Sequence, residues 1–199
     1  MTNRMSDNTA PLTARILRLY DATDETTRTL GLAWYADANA ECVKLAEEFG
    51  IRVAQAIGIV AALSPNMRWE RNIIAAEEFL RGSRSITYPA NVAKAERILA
   101  DNDPLDVLGG NKVRSFYVNI LSSGNDESVT VDGHAFNAAL GIRQPIAKAI
   151  VTDRRYRIIA KAYRNAATKR GITPPAMQAI VWLAWRDSDE ALDIRRPKA

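Results

Sequence analysis

The stretch Val129-Thr130-Val131-Asp132-Gly133-His134-Ala135 decides the fold prediction for this chain. An apolar, β-branched run ends in an acid, and the residues after the acid have helical character up to Gly141, a typical stop signal. An Asp at this point can cap the helix with one carboxylate oxygen and leave the other oxygen facing a cleft. The stretch therefore predicts an acid held at a helix N-terminus, and an ordinary helix cap is the alternative.

A second motif lies upstream of this acid. Lys112 follows the turn Leu108-Gly109-Gly110-Asn111 and precedes Asp132 by twenty residues (132 − 112). The turn opens a predicted helix, with Asn111 as its cap. A Gly-rich turn at a helix start presents backbone N–H groups that suit a phosphate, and Arg114 is a candidate for an additional phosphate contact. An ordinary loop and a solvated helix face are the alternatives, so the spacing of Lys112 and Asp132 carries the prediction.

The two motifs together resemble those of the helix–hairpin–helix DNA glycosylase superfamily. Its members read roughly L-P-G-V-G-x-K-T-A and, after a similar interval, V-D-T-H-V. The resemblance covers roughly residues 50–145. It places Asp132 on the catalytic aspartate, Lys112 on the lysine of lyase-competent members and Gly110 on the second hairpin glycine. It also places His134 on the histidine of V-D-T-H, which supports local structure. A general base is the alternative for this residue, the only histidine of the chain.

The chain departs from the superfamily pattern at several positions. Leu108 stands where the family has its first hairpin glycine, Gly109 where a valine is usual, and Gly133 where V-D-T-H has its threonine. No cysteine cluster follows, which excludes the iron–sulfur cluster of some relatives. These differences indicate a divergent branch with an altered hairpin.

A third segment, Ala62-Leu63-Ser64-Pro65-Asn66, is similar to the L-L-S-A-Q segment of the superfamily. There, a polar side chain fills the gap that an extruded base leaves in the duplex. The resemblance makes Asn66 the candidate filler, with Arg68 as a neighbouring DNA contact and Trp69 as a candidate for stacking on the base. A turn asparagine and a core tryptophan are the alternatives for Asn66 and Trp69.

Composition limits the other sites and partners. The chain has 199 residues, 47% of them hydrophobic, a formal charge of +4 and a pI of about 9.3, which is compatible with a polyanion partner. The single cysteine, Cys42, rules out an internal disulfide framework and is interpreted as a buried small hydrophobe. With one histidine, a histidine-ligated zinc site is not expected, and neither is a cofactor. Without a membrane-length apolar run or a leader, we expect a monomeric, soluble cytoplasmic protein of bacterial or phage origin.

Helical periodicity runs through most of the chain, and no strand is predicted. The prediction is an all-α, two-lobed helical bundle with a helix–hairpin–helix DNA glycosylase-like architecture. On the last helix, Gln178, Trp182 and Trp185 form an aromatic stripe that is interpreted as lobe packing, with a cleft lining as the alternative. The predicted helices are 12–20, 26–49, 53–63, 68–80, 91–100, 104–108, 111–121, 132–140, 153–169 and one that starts at Pro174.

The predicted domain has two lobes and a tail at each end. The first lobe contains the hairpin, and the second is discontinuous because both ends of the chain contribute to it. The bounds are 1–12 for a flexible N-terminal tail, 13–190 for the domain, 50–145 for the core lobe, 13–49 with 146–190 for the second lobe and 191–199 for a basic tail.

The expected function is that of a DNA N-glycosylase-like enzyme acting on a flipped-out base in double-stranded DNA. Positive charge builds up on the sugar as the base leaves, and Asp132 would stabilise it. Lys112 would add AP lyase activity if it attacks the sugar as a neutral amine and forms a Schiff base. Two alternatives stay open. The scaffold could modify an extruded base, as enzymes associated with hypermodified thymine in phage DNA do, or it could be a DNA-binding module without catalysis.

Overall fold

The structure, a computed structural model, describes residues 7–193 of the chain and the side chains up to Arg186. Within that range the chain forms ten α-helices and one 3-10 turn, with no strand. The all-α prediction is therefore confirmed. In chain order, α1 to α10 are Ala10–Asp21, Glu25–Phe49, Val53–Leu63, Trp69–Leu80, Pro89–Leu99, Pro104–Val107, Asn111–Leu121, Gly133–Leu140, Asp153–Arg170 and Pro174–Asp193, and the 3-10 turn is Ile146–Lys148.

The chain divides into two compact units. Unit 2 is the continuous segment Tyr35–Ser123, whereas unit 1 joins Met1–Trp34 to Gly124–Ala199, of which residues 7–34 and 124–193 are described. The first boundary falls inside α2. These bounds differ from those of the predicted lobes, because the segment that contains Asp132 belongs to the discontinuous unit.

The centre of unit 2 is α3, a helix that is buried from Gln55 to its end. It packs against α4, α5, α6 and α7, so a helix that is apolar nearly all round has neighbours on several sides. Gly58 allows the close approach of α5 and α6. A Cβ at this position would lie 2.9 Å from Pro104 Cγ and 3.1 Å from Ile98 Cγ2.

The core of unit 1 lies among α1, α8, α9 and α10, which all contact one another. The first part of α2 joins this core at Gly31, where an added Cβ would lie only 2.7 Å from the Cα of Ile180 in α10. The absence of a side chain at Gly31 thus lets two helix backbones meet. The buried core side chains include Ile16, Ala138, Ile159, Tyr163, Met177 and Val181.

One predicted helix start and one predicted cap are wrong, each for a local reason. The fifth helix begins at Pro89, because proline is favoured in the first helical turn, and Asn91, its predicted first residue, is therefore a buried residue of the first turn. The seventh helix is capped at Gly110, which has a φ of +77°, a conformation that glycine adopts readily. Asn111 is consequently the first residue of this helix and does not cap it.

Parts of the two predicted tails belong to helices. Helix α1 begins at Ala10, and its Leu12 is 5% exposed, so the end of the predicted N-terminal tail belongs to the core. Helix α10 continues to Asp193, inside the predicted basic tail. The remaining parts of these two predictions, residues 1–6 and 194–199, lie outside the described residues.

Candidate functional site

The Gly109-Gly110 turn of unit 2 joins the one-turn helix α6 to α7. Asp103 caps α6 by accepting a hydrogen bond from the N–H of Leu105 at 2.7 Å. Leu108, which stands at the first glycine position of the hairpin motif that the turn resembles, is 2% exposed and anchors the turn in the core. Both glycines are exposed, and a Cβ added to either would have no neighbour within 4 Å. The turn therefore presents its backbone to solvent.

The N-terminus of α7 has the charge pattern of an anion site. No side chain caps the helix at Gly110, its first turn contains no acid, and the half-buried Lys112 lies in that turn. A cation at a helix N-terminus is unfavourable towards the helix dipole, whereas an anion there is stabilised by both the dipole and the ammonium group. The side chain of Arg114 is exposed next to this turn, and its backbone N–H donates the first helical hydrogen bond, to Gly110 O at 3.2 Å.

The connection between α3 and α4 carries the other predicted residues of unit 2. Asn66 is exposed and has a φ of +63°, which asparagine tolerates, and its amide lies 3.5 Å from the Tyr88 hydroxyl. Arg68 is exposed at the N-cap position of α4. Trp69 packs edge-on against Phe116 of α7, with ring centroids 6.4 Å apart. This contact favours the packing alternative for Trp69.

In unit 1, Asp132 is the N-cap of α8. Its Oδ1 accepts a hydrogen bond from the N–H of Ala135 at 2.8 Å, and its side chain is half-buried. Among residues 7–193 no hydrogen bond to the second oxygen, Oδ2, is found. The carboxylate is thus held by one oxygen, and the other is available to a bound group.

Two tyrosines of α9, which the sequence pattern does not single out, support the capping segment. The Tyr156 hydroxyl donates to Val129 O at 2.5 Å and accepts from the N–H of Val131 at 3.4 Å. These bonds give the backbone of Val129 and Val131 the hydrogen-bond partner that a neighbouring strand would supply in a sheet. The fully buried Tyr163 donates to Ala135 O at 3.3 Å. The sequence did contain a signal for this role, because two predicted buried positions seven residues apart have tyrosine, whose hydroxyl needs a hydrogen-bond partner, where phenylalanine would have been sufficient for packing.

The charge of Asp132 acts on the core beneath it. Burial raises the pKa of Tyr163, and the negative charge of Asp132 raises it further. The Tyr163 phenol therefore stays protonated at neutral pH and can donate its hydrogen bond to α8. In this way Tyr163 supports the same helix that Asp132 caps.

His134 takes part in an aromatic cluster with Trp182 and Trp34. The ring of Trp182 is edge-on to both, with centroids 6.5 Å from His134 and 6.2 Å from Trp34. The Nδ1 atom of His134 is buried without a hydrogen-bond partner in the part of the chain that is described. These contacts favour a supporting role for His134. They also favour the packing interpretation of the aromatic stripe, since Gln178 and Trp185 are both 5% exposed.

Gly133 has a local reason to lack a side chain. A Cβ there would lie 2.3 Å from Cγ2 of Ile146, in the 3-10 turn. The turn therefore packs against the start of α8, although Ile146 itself remains 48% exposed. Glycine at the position where V-D-T-H has threonine therefore leaves room for Ile146 beside Asp132.

The predicted site residues are distributed over the two units. Within unit 2, the turn and Lys112 form one continuous surface feature, and the Asn66 segment meets α7 through Trp69. Unit 1 brings Asp132 and His134 together on α8. Unit 2 contains Asn66, Arg68, Trp69, Gly109, Gly110, Asn111, Lys112 and Arg114, and unit 1 contains Asp132 and His134.

The described residues also bear on metal binding, on the cysteine and on membrane crossing. No group of three or more His, Cys, Asp or Glu side chains there is arranged to hold a metal ion. Cys42 is fully buried, and burial raises the pKa of its thiol to about 12, as expected for a small hydrophobic side chain. None of the helices between residues 7 and 193 combines the length and apolar character that a membrane crossing requires.

Comparison with known proteins addresses the whole chain. Neither the search of curated proteins nor the search of solved structures found a match. The model of a family described as a family of unknown function, DUF7178, matches residues 1–189, which is nearly the full length. The chain therefore belongs to the DUF7178 family.

Proposed function

We propose that this protein is a DNA N-glycosylase-like enzyme that acts on a base flipped out of double-stranded DNA. The observation that carries the proposal is the geometry of Asp132, which is held at a helix N-terminus by one oxygen and half-buried. A carboxylate next to the deoxyribose stabilises the positive charge that develops as the N-glycosidic bond breaks. The superfamily resemblance of the surrounding motif supports the same role.

The hairpin of unit 2 supports DNA as the substrate. An exposed Gly109-Gly110 turn and an uncapped helix start with Lys112 suit a backbone phosphate. Such a contact positions the enzyme on the duplex without reading its sequence. Arg114 would add a second phosphate contact, and Asn66 would fill the gap left by the extruded base.

Lys112 gives the proposal a second step. As a neutral amine its Nζ would attack C1′ of the sugar, the bond to the base would break, and the leaving base would take up a proton. The C1′–O4′ bond would then break as O4′ takes up a proton from solvent, which opens the sugar ring and gives a protonated Schiff base between Nζ and C1′. This Schiff base would allow strand cleavage. A phosphate contact by the ammonium group is the alternative role, in which case water would be the nucleophile.

An excision assay with matched variants tests the role of Asp132. The protein is incubated with duplexes that contain damaged, mismatched or modified bases, and abasic sites are measured. Asp132→Asn should abolish the product without unfolding the protein, because asparagine caps helices as well as aspartate does. Asp103→Asn is the control, since Asp103 caps α6 in the same way, and it should retain full activity. Absence of abasic sites on every duplex, or equal activity of Asp132→Asn and wild type, would refute the proposal.

Borohydride trapping tests the role of Lys112. Reduction of a Schiff base would leave a covalent protein–DNA adduct, which Lys112→Ala should lose. Lys44→Ala, at an exposed position of the same unit, should keep the adduct. Base release without an adduct would assign hydrolysis alone. Mass spectrometry of the nucleosides completes the test. An altered base that remains attached to its sugar would show that the reaction is base modification and not excision.

A further inference from the structure

The helix α9 has a higher net positive charge than the whole chain. Its 18 residues include seven Lys or Arg and one Asp, a formal charge of +6, whereas the whole chain has a formal charge of +4. The rest of the chain is therefore net negative by two charges. The basic character of the protein is concentrated in one helix of unit 1.

Four of these cations form a stripe along the exposed side of α9. Arg154, Arg157, Lys161 and Arg164 follow one another at intervals of three or four residues, which places them on one face of the helix. We call these four residues the α9 stripe. Arg157 and Lys161 are exposed, and the other two are half-buried. With a rise of about 1.5 Å per residue, the stripe is about 15 Å long.

The protein neutralises these charges only in part. Arg154 forms an ion pair with Asp7 at 2.8 Å, and Arg164 donates to the backbone carbonyl of Glu127 at 3.4 Å. No acidic side chain in the described range pairs with Arg157 or Lys161. Like charges three and four residues apart repel each other on a helix. The stripe therefore lowers the stability of the free protein, and a bound polyanion would relieve that repulsion.

The remaining side chains of α9 narrow the class of polyanion. Every α9 side chain that is not buried is polar or charged, and the buried ones are all apolar or aromatic. A helix that binds a membrane surface would expose an apolar face. A surface for single-stranded nucleic acid would expose aromatic side chains for base stacking. Neither is found on α9, and both absences favour a duplex.

We infer that the α9 stripe docks the sugar–phosphate backbone of duplex DNA, in addition to the phosphate contact proposed for the hairpin of unit 2. The choice of DNA rests on the proposed function. A row of cations about 15 Å long suits a linear polyanion better than a single phosphate, because duplex DNA carries one charge per about 1.7 Å of its axis. Such contacts fix the position of the protein on the duplex and do not select a sequence.

The salt dependence of binding tests this inference. Fluorescence anisotropy measures the affinity of the full chain for an undamaged DNA duplex between about 50 and 200 mM salt. The variant Arg157→Gln/Lys161→Gln removes two stripe charges and keeps good helix formers. The slope of log affinity against log salt should become shallower by about 1.8, at about 0.9 per lost phosphate contact. The factor by which affinity falls between the two salt concentrations should be about tenfold smaller for the variant than for wild type.

A control variant separates the stripe from net charge. Lys44→Gln/Arg97→Gln removes the same charge from exposed positions of unit 2 and should keep the wild-type slope. Equal slopes for the stripe variant and the control would overturn the inference. The same variants are also tested for binding to two other polyanions, namely vesicles that contain phosphatidylserine and, separately, a duplex RNA. A stripe-dependent affinity for vesicles but not DNA, or for duplex RNA alone, would also overturn it.

This test is independent of base excision because the duplex is undamaged and no bond is cleaved. A shallower slope in the stripe variant without any abasic product would support the stripe and reject the proposed function. Abasic product together with an unchanged slope would support the proposed function and reject the stripe.

Discussion

Replacing Tyr156 by phenylalanine removes one hydroxyl from the core of unit 1 and keeps the packing of the ring. The hydroxyl donates to Val129 O at 2.5 Å and accepts from the N–H of Val131 at 3.4 Å. Both valines are 1% exposed, so water cannot easily take the place of the hydroxyl. Tyr156→Phe therefore leaves two buried backbone groups just before Asp132, the carbonyl of Val129 and the N–H of Val131, without this partner.

The size of the effect follows from those two contacts. An unsatisfied buried polar group costs about 1–3 kcal/mol, and the short bond to Val129 accounts for most of the loss, because the longer bond to Val131 is weaker. We expect Tyr156→Phe to lower the free energy of unfolding by about 2–3 kcal/mol. In a chain of this length, that corresponds to a decrease in Tm of about 4–12 °C.

Two other tyrosines provide matched controls. Tyr163→Phe removes a 3.3 Å bond to Ala135 O, a carbonyl inside α8 that also serves the helix, and should cost only about 1 kcal/mol. Tyr88→Phe alters a side chain that is 58% exposed and should leave stability unchanged. Guanidinium denaturation, followed by circular dichroism and tryptophan fluorescence, measures all three. A Tyr156→Phe variant no less stable than Tyr163→Phe would refute the role of the hydroxyl as a substitute sheet partner.

Two further predictions concern packing and burial in unit 2. Gly58→Ala should lower the free energy of unfolding by about 1–3 kcal/mol, because its Cβ would press on Pro104 and Ile98. Gly109→Ala, whose Cβ meets nothing, should be neutral or slightly stabilising in the same denaturation experiment, and equal losses in both variants would contradict the packing argument. Burial raises the pKa of Cys42 to about 12, so the native thiol should stay protonated and resist iodoacetamide at neutral and mildly alkaline pH. Mass spectrometry should detect its alkylation only after unfolding, and labelling of the native chain at the unfolded rate would show that Cys42 is accessible.

The helices were predictable because their determinants are local. Val53–Leu63 was predicted with its observed bounds from a run that is apolar nearly all round. The cap at Asp132 and the stop at Gly141, which has a φ of +65°, also agree with the sequence pattern. Each of these features depends on residues within about one or two helical turns of each other. The wrong cap at Asn111 came from a competing local choice, since the neighbouring Gly110 adopts the positive φ.

By itself, the sequence determined that the chain is helical, where most helices begin and end, and that an aspartate stands at the start of α8. Only the tertiary structure decided that this aspartate belongs to the discontinuous unit, that Tyr156 completes the hydrogen bonds of its approach, and that Gly31, Gly58 and Gly133 are points of close contact. The physical reason is that periodicity and capping act over a few neighbouring residues, whereas contacts such as Val129 with Tyr156 join segments far apart along the chain. A sequence pattern carries no distance between such segments until the core has packed.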